Sequence, residues 1–155
     1  MEKSGIVRAL LEKLEQELRR HQQANEKAVA GATDSESRAE SKWDTGGLEA
    51  SYLARGHAKQ FALLSTQVQR LRGFVPSTFS NRPIGMGALV ECEANGYAFQ
   101  VLLLDCGGGI ELSVDGIEVT VVTPESPLGA ALLNKREGQQ YAVPGGVSGT
   151  IRRVE

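Results

Sequence analysis

The chain is poor in cysteine and in histidine, and neither sign of charge is in large excess. Only Cys92 and Cys106 occur among its 155 residues. Two thiols are too few for a disulfide framework and too loosely spaced for a zinc site, and they fit a reducing compartment. The formal net charge is -2, so nothing predicts strong nonspecific binding to nucleic acid, and no sequence-specific binding is expected. No apolar run approaches the roughly 18 residues of a membrane span. The start, Met1-Glu-Lys-Ser4, lacks the apolar core of a signal peptide. Gly107-Gly-Gly109 has no phosphate-binding spacing around it and reads as a loop. A soluble, cytoplasmic, monomeric protein without membrane contact is the expectation.

What is present divides the chain in two. Up to about residue 72 the apolar period is helical. Val7, Leu11, Leu14, Leu18, His21, Asn25 and Ala28 recur at alternating spacings of four and three. Ala50, Ala54, His57, Phe61, Leu64, Val68 and Leu71 do the same. Both are seams that let two helices pack along their length. Between them, residues 31–47 are rich in Ser, Asp, Glu, Thr and Gly. Gly31 can end the first helix, and Gly46-Gly47 disfavours regular helix at the start of the second. An antiparallel hairpin over residues 1–73, with an acidic tip near 31–49, is predicted. Facing Ala28 with Ala50 pairs Leu14 with Leu64, Val7 with Leu71, and the only two histidines, His21 and His57, with each other.

Residues 74–83 hold two prolines and no period, and they read as a linker. From residue 84 the segments are short and strand-like. Ala88–Glu93 and Tyr97–Asp105 flank the turn pair Asn95-Gly96, and Ile110–Val114 and Ile117–Thr123 flank Asp115-Gly116. Ser126 is a good N-cap, Pro127 suits the first helical position, and Leu128, Leu132 and Leu133 make an apolar face. Gln139–Val143 and Val147–Val154 close the domain around Pro144-Gly145-Gly146. The fold class is α+β: a coiled-coil hairpin, then a small sheet with one helix over residues 84–155.

The stretch Thr123-Pro-Glu-Ser-Pro-Leu-Gly-Ala-Ala-Leu-Leu-Asn-Lys-Arg-Glu-Gly138, set behind a helical hairpin with acids at its tip, resembles the bacterial Gre transcript-cleavage factors. The resemblance covers nearly the whole chain. It implies that residues 84–155 take the fold of the FK506-binding prolyl isomerases and dock on RNA polymerase through Ser126, Pro127, Leu128, Lys135 and Arg136. It also implies that the hairpin enters the polymerase's secondary channel. The tip carboxylates there help hold a second Mg2+ in the polymerase active site, and the polymerase cleaves its own backtracked RNA. Such a factor binds no cofactor alone and is not an enzyme alone.

The Gre tip has the form Asp-x-x-Glu-Asn with a Tyr four residues after the Glu. Here Asp44-Thr-Gly-Gly-Leu-Glu49-Ala-Ser-Tyr52 matches at Asp44 and near Tyr52. Gly47 stands in the Glu position. Glu49 follows two residues later, a helical rotation of roughly 200°. Asp44 is therefore the first metal candidate and Glu49 a displaced second. Asp34, Glu36, Glu40, Trp43 and Tyr52 are candidate tip contacts, because carboxylates on a thin rod can reach a hard cation. The same acids also fit a solvated turn. Trp43 fits either a wedge against the channel or a cap on the turn through Leu48 or Tyr52. Gly47 favours a regulator that occupies the channel without stimulating cleavage. A non-transcriptional binding module or prolyl isomerase is the third class.

The remaining chemistry-bearing residues read as structural. His21 and His57 alone make a poor zinc site, and a polar layer that fixes register suits them better. Cys92 alternates with Val90 on a buried strand face, Cys106 lies at a strand end, and no histidine accompanies either. The aromatics Tyr97, Phe99 and Tyr141, without a tryptophan, are too few to line a prolyl-isomerase pocket.

Overall fold

The computed structural model describes residues 2–33 and 46–155. Its elements in order are α1 Lys3–Thr33, α2 Gly46–Arg72, β1 Leu89–Ala94, β2 Tyr97–Leu103, β3 Glu111–Val114, β4 Ile117–Val122, α3 Pro127–Leu132, β5 Gln140–Ala142 and β6 Ser148–Val154. Two compact units result. One joins Met1–Leu10 to Gly73–Glu155, and the other is Leu11–Arg72. No described helix is long and apolar enough to cross a membrane.

The helical unit is an antiparallel pair. The His21 and His57 rings lie 6.1 Å apart between centroids, and further along Arg72 donates to Glu15 through Nη2 at 2.6 Å and Nε at 3.0 Å. Moving up α1 thus means moving back along α2. Leu14 and Val68 are buried, as their seam positions require. The histidines share a layer as the spacing predicts. The side chains of Ala28 and Ala50, the layer nearest the tip, lie outside the description.

Both glycine expectations at the tip need correction. Helix α1 runs through Gly31 to Thr33, and α2 begins at Gly46 and includes Gly47. A glycine costs a helix about 1 kcal/mol relative to alanine. That cost is spread over long helices whose propagation is cooperative, so it does not by itself stop them.

The other unit is a six-stranded mixed sheet in the order β3-β4-β2-β1-β6-β5. Strands β1 and β2 form a hairpin in which Ala94 faces Tyr97. Asn95 and Gly96 both take positive φ, 53° and 81°, as a two-residue turn of this hand demands. Asp115 and Gly116 repeat this at 52° and 79° between β3 and β4. Strand β4 then lies parallel to β2, Leu102 beside Val121. That pairing is not local, and the hairpin signals did not contain it.

The sheet buries both faces. One carries Val90, Cys92, Val101, Leu103, Val122, Tyr141, Ile151 and Val154, packed with Leu132 of α3 and with Phe79. The 74–83 segment contains no helix or strand, yet Phe79 is only 5% exposed in that core. Along β1, β2 and β4, alternation sends Leu89, Leu102, Val119 and Val121 to the opposite face, and all four are buried. Ile6 and Leu10 of α1 are also fully buried in this unit. Both stand beside the predicted seam, not on it. Their reason is the sheet: Leu10 packs on Gly107, and Gly5 lies near Val114 of β3.

Candidate functional site

Of the tip residues, Asp34, Glu36, Glu40, Trp43 and Asp44 lie outside the described residues. Glu49 sits in the first turn of α2. A carboxylate there is favoured by the positive end of the helix dipole. Tyr52 follows one turn later and is largely exposed. The Arg55 guanidinium covers its ring, 5.1 Å from the centroid. Leu48 is exposed beside them. Glu49, Tyr52 and Leu48 therefore present acid, phenol and apolar surface at the base of the acidic connection. Among the described residues no group of three or more His, Cys, Asp or Glu is placed to hold a metal.

The candidate docking residues lie at the two ends of α3. The Ser126 hydroxyl accepts from Gly129 N–H at 3.0 Å and donates to the Thr123 carbonyl at 2.7 Å. Pro127 occupies the first turn, where its missing N–H costs nothing. Gly129 is required: a β-carbon there would stand 1.9 Å from the Thr123 carbonyl oxygen. The cap and this contact seat the helix tightly on the end of β4. Pro127 stays exposed, while Leu128 and Leu133 pack partly against the core.

Past the other end of α3, the turn at Lys135 and Arg136 is tied to the 74–84 segment. Ile84 N–H donates to the Lys135 carbonyl at 2.7 Å, and Asn134 N–H donates to the Ile84 carbonyl at 2.9 Å. The Arg136 guanidinium donates to the Asn81 carbonyl at 2.8 Å. Arg136 is thus part of the fold as well as a surface cation. Glu137 accepts from Val154 N–H at 3.2 Å. Phe79, Asn81, Arg82, Arg136, Glu137 and Val154 line a cavity of about 270 Å³. Two cations flank Phe79, with Lys3 Nζ 5.0 Å and Arg82 Cζ 5.3 Å from the ring centroid.

Lys3 also donates to the carbonyls of Ser77 and, at 3.2 Å, of Gly87. Desolvation lowers its pKa from the ordinary lysine value, and Glu155 partly opposes this. Neither the Phe79 clamp nor the Lys3 ties were foreseen. The available signal was a lone Phe between Pro76 and Pro83, in a segment otherwise too polar to be buried.

The thiols lie within the core. Cys92 is fully buried, and desolvation, helped by the charge of Glu91, pushes its pKa up to about 12. A thiol held neutral is a poor nucleophile. Tyr141 reaches beneath Gly149, where a β-carbon would stand 2.8 Å from its hydroxyl and 2.0 Å from the Glu93 carbonyl oxygen. Its own pKa is raised by burial and by Cys92. Tyr141 is a core residue, and Tyr97 is exposed.

No protein-family model matches the chain, and no curated protein matches it. Solved structures do. GreA factor homolog 1 (Gfh1) of Thermus thermophilus is 20% identical over 95% of this chain and 95% of that one, with a TM-score of 0.38. Gfh1 of Thermus aquaticus is 22% identical over 99% of this chain and 96% of that one, with a TM-score of 0.34.

Proposed function

We propose that the chain is a Gre-type accessory factor of RNA polymerase. In this reading the hairpin enters the polymerase's secondary channel and the sheet unit docks at the rim. One observation carries it: a single chain combines an antiparallel helix pair, joined through an acidic connection, with a sheet bearing the capped Ser126-Pro127-Leu128 helix. That is the arrangement the sequence resemblance calls for. A thin helical pair can take carboxylates where a globular domain cannot go. Asp44, with Glu49 as second ligand, would share a Mg2+ with the polymerase and its RNA, the usual way such an ion is held. The bond broken would be the polymerase's to break.

Gly47, at the position where a metal-binding Glu is expected, favours a second reading. There the hairpin occupies the channel and regulates the polymerase without stimulating cleavage. A release assay on stalled elongation complexes separates the two. Shortened transcripts that depend on added protein and on Mg2+ support the cleavage factor. Binding to core polymerase without shortening supports the regulator. Failure to co-purify with core polymerase rejects both.

A further inference from the structure

We infer that the helical unit binds one divalent transition-metal ion, of the zinc, nickel or copper kind, between His21 and His57, with Asn25 as an oxygen ligand. Two imidazoles by themselves make a poor site; the structure adds a third donor and a reason for a cation. Asn25 stands one helical turn beyond His21 on the same face of α1, so their side chains are neighbours. Nδ1 of His21 and Oδ1 of Asn25 are both buried with no hydrogen-bond partner. Buried polar atoms left unpaired are costly, because they have given up water and gained no partner in return. Two of them in consecutive layers of one seam mark a place where the packing omits what these atoms need.

The ring geometry fits a shared ion. A metal about 2.1 Å from one nitrogen of each imidazole lies roughly 3 Å from each ring centroid, so the two centroids fall roughly 5–6.5 Å apart. The observed separation is 6.1 Å, and the planes are tilted by 53°, so the rings are not stacked face to face. Imidazole nitrogens with one amide oxygen suit borderline ions rather than Mg2+. The carboxylate one turn before His21 is engaged elsewhere, since Glu17 pairs with Arg20. Gln22 and Glu26 bond each other at 3.3 Å on the exposed side. The ion would tie α1 to α2 midway along their length, at a place separate from the acidic tip.

The test uses the full chain stripped with EDTA. Thermal unfolding followed by circular dichroism should shift upward by several degrees with zinc or nickel chloride, and isothermal titration should give one ion per chain. The same concentration of magnesium chloride should leave the midpoint unmoved. His21→Leu and His57→Leu, each apolar in an apolar seam, should abolish both signals, and Asn25→Ala should weaken affinity several-fold at unchanged stoichiometry. In wild type, zinc should slow histidine modification by diethyl pyrocarbonate, a reading that needs no variant to fold. No binding by wild type, unslowed modification, or full binding by the double His→Leu variant would overturn the inference.

Discussion

Leu10 and Gly107 meet so closely that a β-carbon on Gly107 would stand 3.0 Å from Leu10 Cδ1. The contact ties the first turns of α1 to the loop between β2 and β3. With Ile6, Leu10 belongs to the unit that carries the sheet. A fragment of residues 84–155 would therefore expose the Leu89, Leu102, Val119 and Val121 face to water. That fragment should aggregate or lose tertiary structure, measured by near-ultraviolet dichroism and gel filtration. In the full chain, Leu10→Ala should cost about 2–5 kcal/mol of stability, the usual range for emptying a buried leucine site. A folded, monomeric 84–155 fragment would refute this account of the second face.

Ser126 should matter through its hydroxyl. Ser126→Ala removes the N-cap bond to Gly129 and should cost about 1 kcal/mol in urea denaturation. Ser126→Asp restores an acceptor and should recover most of it. Gly129→Ala drives a methyl into the Thr123 carbonyl and should be far worse than either. If α3 is the docking element, Gly129→Ala should also lower capture of the chain by core polymerase. Unchanged capture would place the docking surface elsewhere.

Alkaline pH should destabilise the sheet unit. The folded chain keeps the Cys92 proton up to about 12, whereas an unfolded thiol releases it near about 8.5. The native state then binds more protons across that interval, so stability is full below it and falls as pH rises through it. Tyr141, also raised, acts in the same direction. Lys3, lowered, acts in the opposite one. Urea midpoints should drop between about pH 8 and about pH 10.5, and Cys92→Ala should reduce the drop. An equal drop in that variant would clear Cys92 of the effect.

Asp44→Asn keeps size and removes charge. If the chain stimulates cleavage, this variant should abolish it while leaving polymerase affinity nearly unchanged. Glu49→Gln should do the same only if Glu49 turns toward the same ion. Equal cleavage by Asp44→Asn and wild type would move the chemistry to Asp34, Glu36 or Glu40.

In metal-free buffer the His21→Leu/His57→Leu pair should be more stable than wild type by about 1 kcal/mol, because a buried nitrogen without a partner is exchanged for apolar contact. Loss of the antiparallel pairing would instead show that the polar layer sets the register.

What the sequence by itself determined was local or periodic. Seam spacing placed His21 against His57, because an a/d pattern admits few registers. Asn95-Gly96 and Asp115-Gly116 gave two hairpins, because few residues accept positive φ cheaply. Ser126-Pro127 started α3, because a side-chain acceptor and a missing N–H both suit a helix beginning. The candidate tip was legible only as a pattern of acids and a displaced Glu. Only the tertiary structure decided that β4 lies parallel to β2, that Phe79 leaves its loop for the core, and that Ile6 and Leu10 are buried in the unit that carries the sheet. Each of these joins residues far apart in the chain. Pairings of that kind are settled by which apolar surfaces remain to be covered once the local elements exist, and no short-range signal encodes them.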